Sequence, residues 1–249
     1  MIVSAIPSLL HNFFLQVCAC LGIQHESDYF GLKFNNQKGD ELWLNLRNPI
    51  ERQVNGIPPH RFALRVKFWV PPHLLLEEST RHQFYLQARQ WLTSSSDPTP
   101  EITALAARAE TALSPAAEYW LLKEVSQLPG SGEELFHTSG PSVGVGPNGL
   151  TIYGFEDKEK EVIPYSAVVS ASTQRRQLRL TFVASTQPRT LDLKLDSSQA
   201  AVGLYRALTE KHAFYSCETV RSAVSTQSIR DLKVSRTNQS TSKHEKSTN

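Results

Sequence analysis

The chain has 249 residues, 40% of them hydrophobic and 20% charged, and its 26 Lys and Arg against 24 Asp and Glu leave a net charge of +2. That length suits one large domain or two to three small ones, and the near-even charge argues against a nucleic-acid binder. Three cysteines, Cys18, Cys20 and Cys217, are too few for a disulfide framework and fit a reducing compartment.

Residues 1–23 are apolar, but they lack a basic leader and are interrupted by Pro7, His11 and Asn12, unlike a signal peptide or an anchor. The spacing instead predicts a helix from about Pro7, with Leu9, Leu10, Phe13, Phe14, Val17 and Leu21 buried and Gly22 as its C-cap. An alternating strand follows at 28–34, then a turn at 35–39, a short strand at 42–44 and a short helix or turn at 46–53. Asn55-Gly56 and Pro58-Pro59 break the chain. Residues 61–69 then alternate strictly, with Phe62, Leu64, Val66 and Phe68 inward.

Pro71-Pro72 marks a boundary. Leu74, Leu75, Phe84, Tyr85, Ala88 and Leu92 then recur at helical spacing, with Glu77, Glu78 and Arg81 outward. After a polar linker at 93–98, Thr99-Pro100 and Ser114-Pro115 each give an N-cap with Pro at N1, predicting helices to about Ala112 and Leu128. From Glu133 to Leu195 the pattern is all-β, in seven short strands: 135–137, 143–145, 150–153, 162–163, 168–173, 178–182 and 191–195. Asp196 is placed to N-cap a closing helix, with Gln199 at the capping-box position. Ala201, Leu204, Tyr205, Leu208, His212, Tyr215 and Thr219 share one face of it. From the residues alone this stripe reads as plain core, or as one wall of a groove that takes an extended peptide beside the strand at 168–173. Beyond Lys233 the tail holds one apolar residue, Val234, and is expected to be disordered.

Gly144-Val145-Gly146-Pro147-Asn148-Gly149 fits G-x-G-x-x-G, but Pro147-Asn148-Gly149 reads as a hairpin turn and no nucleotide site is expected. Cys18 and Cys20 sit on different helix faces, and no other Cys or His pair has ligand spacing, so no metal and no cofactor are expected. Nor does any Ser/His/Asp or Cys/His arrangement support a catalytic site.

Three stretches carry a resemblance: DYFGLKF, KGDELWLNLRNPIERQ and RFALRVKFWVPPHLL together resemble the first lobe of a FERM domain passing into the second. LWLNLRNPI is most similar to the FERM domain of the RING-type E3 ubiquitin ligases called myosin regulatory light chain interacting protein or inducible degrader of the LDL receptor, with their insect relatives called defense repressor. VGVGPNGLTIY, GLYRALTEKHAFYSCETVRSAV and SIRDLK carry the resemblance over most of residues 15–233. It implies an α+β, three-lobed FERM architecture. Residues 1–69 are then an incomplete ubiquitin-like β-grasp, 70–130 a shortened helical bundle, 131–233 a pleckstrin-homology and phosphotyrosine-binding-like β-sandwich with a C-terminal helix, and 234–249 a disordered tail. The chain departs from that family in three ways. The β-hairpin ahead of the first helix is missing, which exposes a sheet edge. A helical stretch is missing between Ser96 and Leu113. The eight Cys and His ligands of a RING are not supplied.

The resemblance therefore implies the substrate-recognition half of a ubiquitin ligase, without its catalytic half. Tyr215 and Thr219 fall in the F-Y-x-C-x-T stretch implicated in holding the cytoplasmic tail of a lipoprotein-type receptor near an NPxY-like turn. Val168, Val169, Ser170, Ala171 and Ser172 would supply backbone groups to it. Arg175, Arg176 and Arg179, at a hairpin tip, read as a solvated turn or as a contact to anionic membrane lipid. Myosin regulatory light chain is a further implied partner, and the implied location is cytoplasmic and peripheral at the plasma membrane. The rival reading is a phosphoinositide-binding or cytoskeletal linker module with no peptide partner.

Overall fold

A computed structural model describes residues 7–37, 39, 41–56, 58–94, 98–155, 158–184 and 186–216. Thr219, Cys217 and the tail lie outside them. The first helix, α1 (Pro7–Cys20), buries Leu10, Phe14 and Cys18, each four residues apart. It ends where Gly22 takes φ 68°, so that the Gly22 N–H donates to Ala19 O (3.1 Å) and the Ile23 N–H to Cys18 O (2.9 Å), a Schellman closure. The buried stripe is rotated from the one the sequence predicts. Cys18, not Leu21, continues the row from Phe14, which leaves Phe13 and Leu21 about 40% exposed (43% and 40%); the side chain of Leu9 lies outside the described set.

β1 (Phe30–Asn35) pairs antiparallel with β2 (Glu41–Trp43) and β3 (Ala63–Val66), giving the order β2-β1-β3. The alternation over 61–69 yields a shorter strand than expected because β1 begins at Phe30, the partner of Val66. Three helices follow, α2 (Glu78–Ser94), α3 (Pro100–Thr111) and α4 (Pro115–Val125). Both Pro-led start signals work as read: Thr99 Oγ1 accepts from the Ile102 N–H (3.3 Å) and Ser114 Oγ from the Ala117 N–H (3.2 Å). The first sheet and the helical block share one core, in which Phe84 of α2 meets Tyr29, Phe30 and Trp69 edge to face.

The remaining strands make two antiparallel sheets. β4 (Glu134–Phe136), β5 (Ser142–Gly146), β6 (Gly149–Phe155) and β7 (Lys158–Ile163) lie in sequence order, and β8 (Val168–Gln174), β9 (Gln177–Ala184) and β10 (Gln187–Lys194) lie in the order β10-β9-β8. The glycine motif is the β5–β6 hairpin, with Gly146 opposite Gly149. Gly149 has φ 131°, and a Cβ there would stand 2.2 Å from Ile163 O, so the third glycine serves a close backbone approach. α5 (Ser198–Ser216) plugs this second core. Its N-cap is Ser197, whose Oγ accepts from the Ala200 N–H (3.0 Å), not Asp196. Its buried residues are Ala201, Leu204, Ala207, Leu208, Lys211 and Phe214, a stripe shifted away from Tyr205 and His212.

Thr186, between β9 and β10, holds φ 101°, where a β-branched side chain crowds its own backbone. Thr186→Gly should therefore raise stability by about 1 kcal/mol in urea denaturation.

Candidate functional site

The candidate peptide site starts from one strand edge. β8 has β9 on one side, and among the described residues no strand pairs with the other. The β8–β9 hairpin closes at Gln174 and Gln177 through a two-residue turn, and Ser172 stands opposite Arg179 and Ser170 opposite Thr181. Ladder hydrogen bonds fall on those pairs, so the peptide groups of Ala171 and Thr173 point to the open edge. The register shifts between Val168 and Ser170, which makes Val169 a bulge residue with its side chain 60% exposed. α5 packs beside this strand. Val168, Val169, Ser170, Ala171 and Ser172 thus lie together along one edge with a helix next to it.

Tyr215 is placed differently from that edge. Its hydroxyl donates to Trp69 O (2.9 Å), in the segment leaving β3. Its ring stacks on Tyr165 and meets Phe68 and Phe214 edge-on. Tyr165 leads directly into β8, so Tyr215 braces the entry of the strand while its hydroxyl is spent on the backbone between the first sheet and the helices. Arg175 and Arg176 form the exposed hairpin tip, with Arg175 at φ 54°. Arg179 is separated from them in role. Its guanidinium grips Asp192 of β10 through two bonds (2.7 and 2.9 Å), and that hydrogen bonding holds the Asp192 carboxyl below the usual carboxylate range.

A second group, which the sequence reading missed, joins the first sheet to β4 and α5. The buried Lys211 Nζ donates to Val145 O (2.6 Å) and lies 4.0 Å from Glu134 Oε2. Glu134 also accepts from Trp43 Nε1 (2.8 Å) and pairs with Lys33 (3.3 Å). Gly31 makes room for the Trp43 ring, which an added Cβ would meet at 2.9 Å. The ammoniums of Lys33 and Lys67 lie 4.7 and 5.5 Å from the centre of that ring, and Lys67 pairs with Glu210 of α5 (2.6 Å). Burial pushes Lys211 down to about 8 against the pull of Glu134. Burial alone would raise Glu134, but Lys33 and Lys211, and then the Trp43 donor, hold it below the usual range. The signal was present in the helical spacing, since Lys211 falls four residues after Ala207 and three after Leu208.

Among the described residues no three His, Cys, Asp or Glu side chains cluster as a metal site, and no helix is long and apolar enough to cross a membrane. A three-stranded sheet with one helix, a three-helix block and a seven-stranded pair of sheets closed by a helix together make a FERM-like fold. The structure of the FERM and C-terminal domain complex of Drosophila Merlin superposes with a TM-score of 0.71 over 86% of this chain and 91% of that one, at 15% identity. Residues 11–56 match the family model of the FERM N-terminal domain. A stretch of 81 residues is 40% identical to human tyrosine-protein phosphatase non-receptor type 4, covering 32% of this chain and 9% of that protein. Another of 84 residues is 38% identical to dog protein 4.1, covering 33% of this chain and 10% of that one. The chain thus matches about a tenth of the length of these relatives.

Lys211→Met should cost about 3 kcal/mol in urea denaturation at neutral pH, because it leaves Glu134 buried with one cation fewer. Both groups make stability rise with pH, in separate windows. The folded chain holds the Lys211 proton less tightly than the unfolded chain, so its contribution to stability rises as pH climbs from about 8 toward the ordinary lysine value. The depressed Glu134 carboxyl contributes stability above the usual carboxylate range, lost as pH falls through its lowered value. Denaturation midpoints across pH should fall further on acidification in the native chain than in Glu134→Gln.

Proposed function

We propose that the chain is a FERM-type adaptor that takes an extended cytoplasmic receptor-tail segment along β8. The observation that carries this reading is the open β8 edge beside α5, with outward peptide groups at Ala171 and Thr173 and an exposed bulge at Val169. A strand edge offers affinity through its backbone, and the neighbouring helix offers side-chain discrimination. The tail proposed is of the lipoprotein-receptor, NPxY-like type, in keeping with the FERM-like fold and with the resemblance of 203–224 to ligases that select such tails. On this reading the chain is the recognition half of a ubiquitin ligase system and binds its target at the cytoplasmic face of the plasma membrane without modifying it. Thr219 enters on the resemblance alone. Tyr215 enters indirectly, by bracing Tyr165 at the mouth of β8.

A labelled NPxY-type receptor-tail peptide, titrated into the full chain, should bind in the micromolar range. Ala171→Pro removes an outward N–H and keeps the β9 ladder, so it should weaken binding by about 1.4 kcal/mol or more, a tenfold change. Equal binding by a folded Ala171→Pro variant would remove the β8 edge from the site.

The exposed Arg175-Arg176 tip supports a second contact, to anionic lipid, that is separate from the peptide edge. Changing both arginines to Glu should lower binding to phosphoinositide-containing vesicles and leave peptide affinity unchanged. Loss of both activities together would instead mean that the tip belongs to the peptide site.

A further inference from the structure

Gly144 and Gly146 have a use beyond the β5–β6 hairpin. Cross-strand pairing puts Leu135, Gly144, Thr151 and Val162 in one row on the outer face of the β4–β7 sheet, with Tyr153 and Lys160 in the next. The inner face holds Val143, Val145, Leu150, Ile152 and Ile163, all buried. Glu133 lies back over the outer face in the space that the two glycines leave, since a Cβ added at either would collide with its side chain. Its carboxylate accepts from Thr151 Oγ1 (2.7 Å) and from the Tyr153 hydroxyl (2.6 Å). Both oxygens of Glu133 are thereby engaged with its own floor, while Val162 beside it stays 54% exposed.

This floor is one side of a cleft of about 1000 Å³, whose other side is made by the segment Trp69 to His73 and by α4. α4 turns Tyr119 and Lys123 to the cleft, four residues apart. Pro72, His73 and Tyr119 also line a hollow of about 470 Å³ with Arg81, Pro115 and Ala116, so the two spaces form one groove along the helix. Three cations stand along it. Arg81 is held in place by its Nη1, which donates to Leu75 O (2.7 Å) and Leu76 O (3.4 Å), and Lys123 and Lys160 are exposed. Among the described residues none of the three pairs with a carboxylate; the two glutamates of α4 are engaged elsewhere, Glu118 with His82 (2.8 Å) and Glu124 with Arg108. The carboxylates that line the groove are Glu133, bonded to its floor, and Glu159, exposed beside Lys160.

We propose that this groove takes an extended acidic segment of a partner protein, wound as a polyproline II helix. Its carboxylates are set against Arg81, Lys123 and Lys160, and its apolar side chains against Pro72, Tyr119 and Val162. The walls decide the conformation. Pro71, Pro72, Pro129 and Pro147 line the cleft and have no N–H to give, so an occupant is read through rings and charges rather than through a β ladder. Polyproline II segments are recognised in that way, on aromatic-lined grooves. The charges decide the composition, since three unanswered cations face one unanswered carboxylate. The chain's own residues 217–249 suit the groove badly, with six Lys and Arg against three Asp and Glu. The groove uses none of the β8 residues, and the proposal does not depend on the receptor-tail reading.

The test uses the full chain and a fluorescein-labelled nonapeptide that repeats glutamate, proline and leucine, followed by anisotropy, with lysine in place of glutamate as the counter-probe. As a polyproline II helix the peptide reaches about 28 Å, beyond the roughly 16 Å of α4. Its prolines keep it from pairing as a strand along β8. The glutamate peptide should bind at least about tenfold more tightly than the lysine peptide. Lys123→Glu and Lys160→Glu together should weaken its binding by at least about tenfold. Arg175→Glu with Arg176→Glu makes the same change of charge at the β8–β9 hairpin tip and should stay within about threefold of the native chain. Methyl NMR of the native chain needs no variant: the Val162 signals should shift when the glutamate peptide binds, and the Val169 signals should not. The proposal is overturned by equal affinities for the two peptides, by a folded Lys123→Glu, Lys160→Glu variant that binds like the native chain, by equal losses in the two charge-changed variants, or by shifts at Val169 in place of Val162. It is also overturned if binding appears only after residues 217–249 are deleted, which would assign the groove to the chain's own tail.

Discussion

The Glu134 carboxylate fixes how β4 and α5 sit on the first sheet. It is the one acidic group that Lys33, Lys211 and the Trp43 indole all address, and these come from β1, α5 and β2 respectively. A buried carboxylate with fewer partners would be driven toward its neutral form, and the contact would lose its charge-assisted bonds. Here the surrounding cations reverse that tendency, and the Val145 carbonyl takes up a proton of the Lys211 ammonium that Glu134 leaves spare. Gly31 belongs to the same arrangement, because the indole lies flat where a side chain on β1 would otherwise stand.

Local rules carried much of the architecture. The Thr99-Pro100 and Ser114-Pro115 starts, the Gly22 stop, the Pro147-Asn148 turn and the alternation of 178–182 each depend on a few adjacent residues, and each reappears as read. The errors arose where tertiary partners decide. Rotation of α1 toward Cys18 and shortening of β3 were set by which neighbours exist, not by periodicity. Ser197 displaced Asp196 as the cap of α5, and adjacent polar residues make that choice hard to see in a sequence. Most instructive is Lys211, which takes the buried position that the predicted stripe gave to His212.

The strand half of the proposed peptide site was legible, because a Ser- and Val-rich segment before a hairpin tip announces an edge strand. Its helix half was less so. Tyr215 was singled out for its hydroxyl, and the structure gives that hydroxyl to Trp69 O. Arg179 was grouped with Arg175 and Arg176 by nearness in sequence, yet its place on β9 turns it toward Asp192. Two-fold alternation along a strand separates residues that a linear reading groups together.

α5 belongs to two cores at once. Ala201 to Leu208 pack in the core of the two later sheets, whereas Phe214, six residues on, is part of the core shared by the first sheet and the helical block, stacked on Phe68 at 4.3 Å. Cooperative units in native proteins usually follow the boundaries of cores. A helix shared in this way makes the two units unequal in their dependence. The first sheet and helices can open while most of α5 stays in place, but the two later sheets cannot shed their closing helix without pulling an aromatic ring out of the other core. The same lever runs in reverse, so a ligand that tightens α5 against β8 also raises the cost of opening the core that holds Phe68.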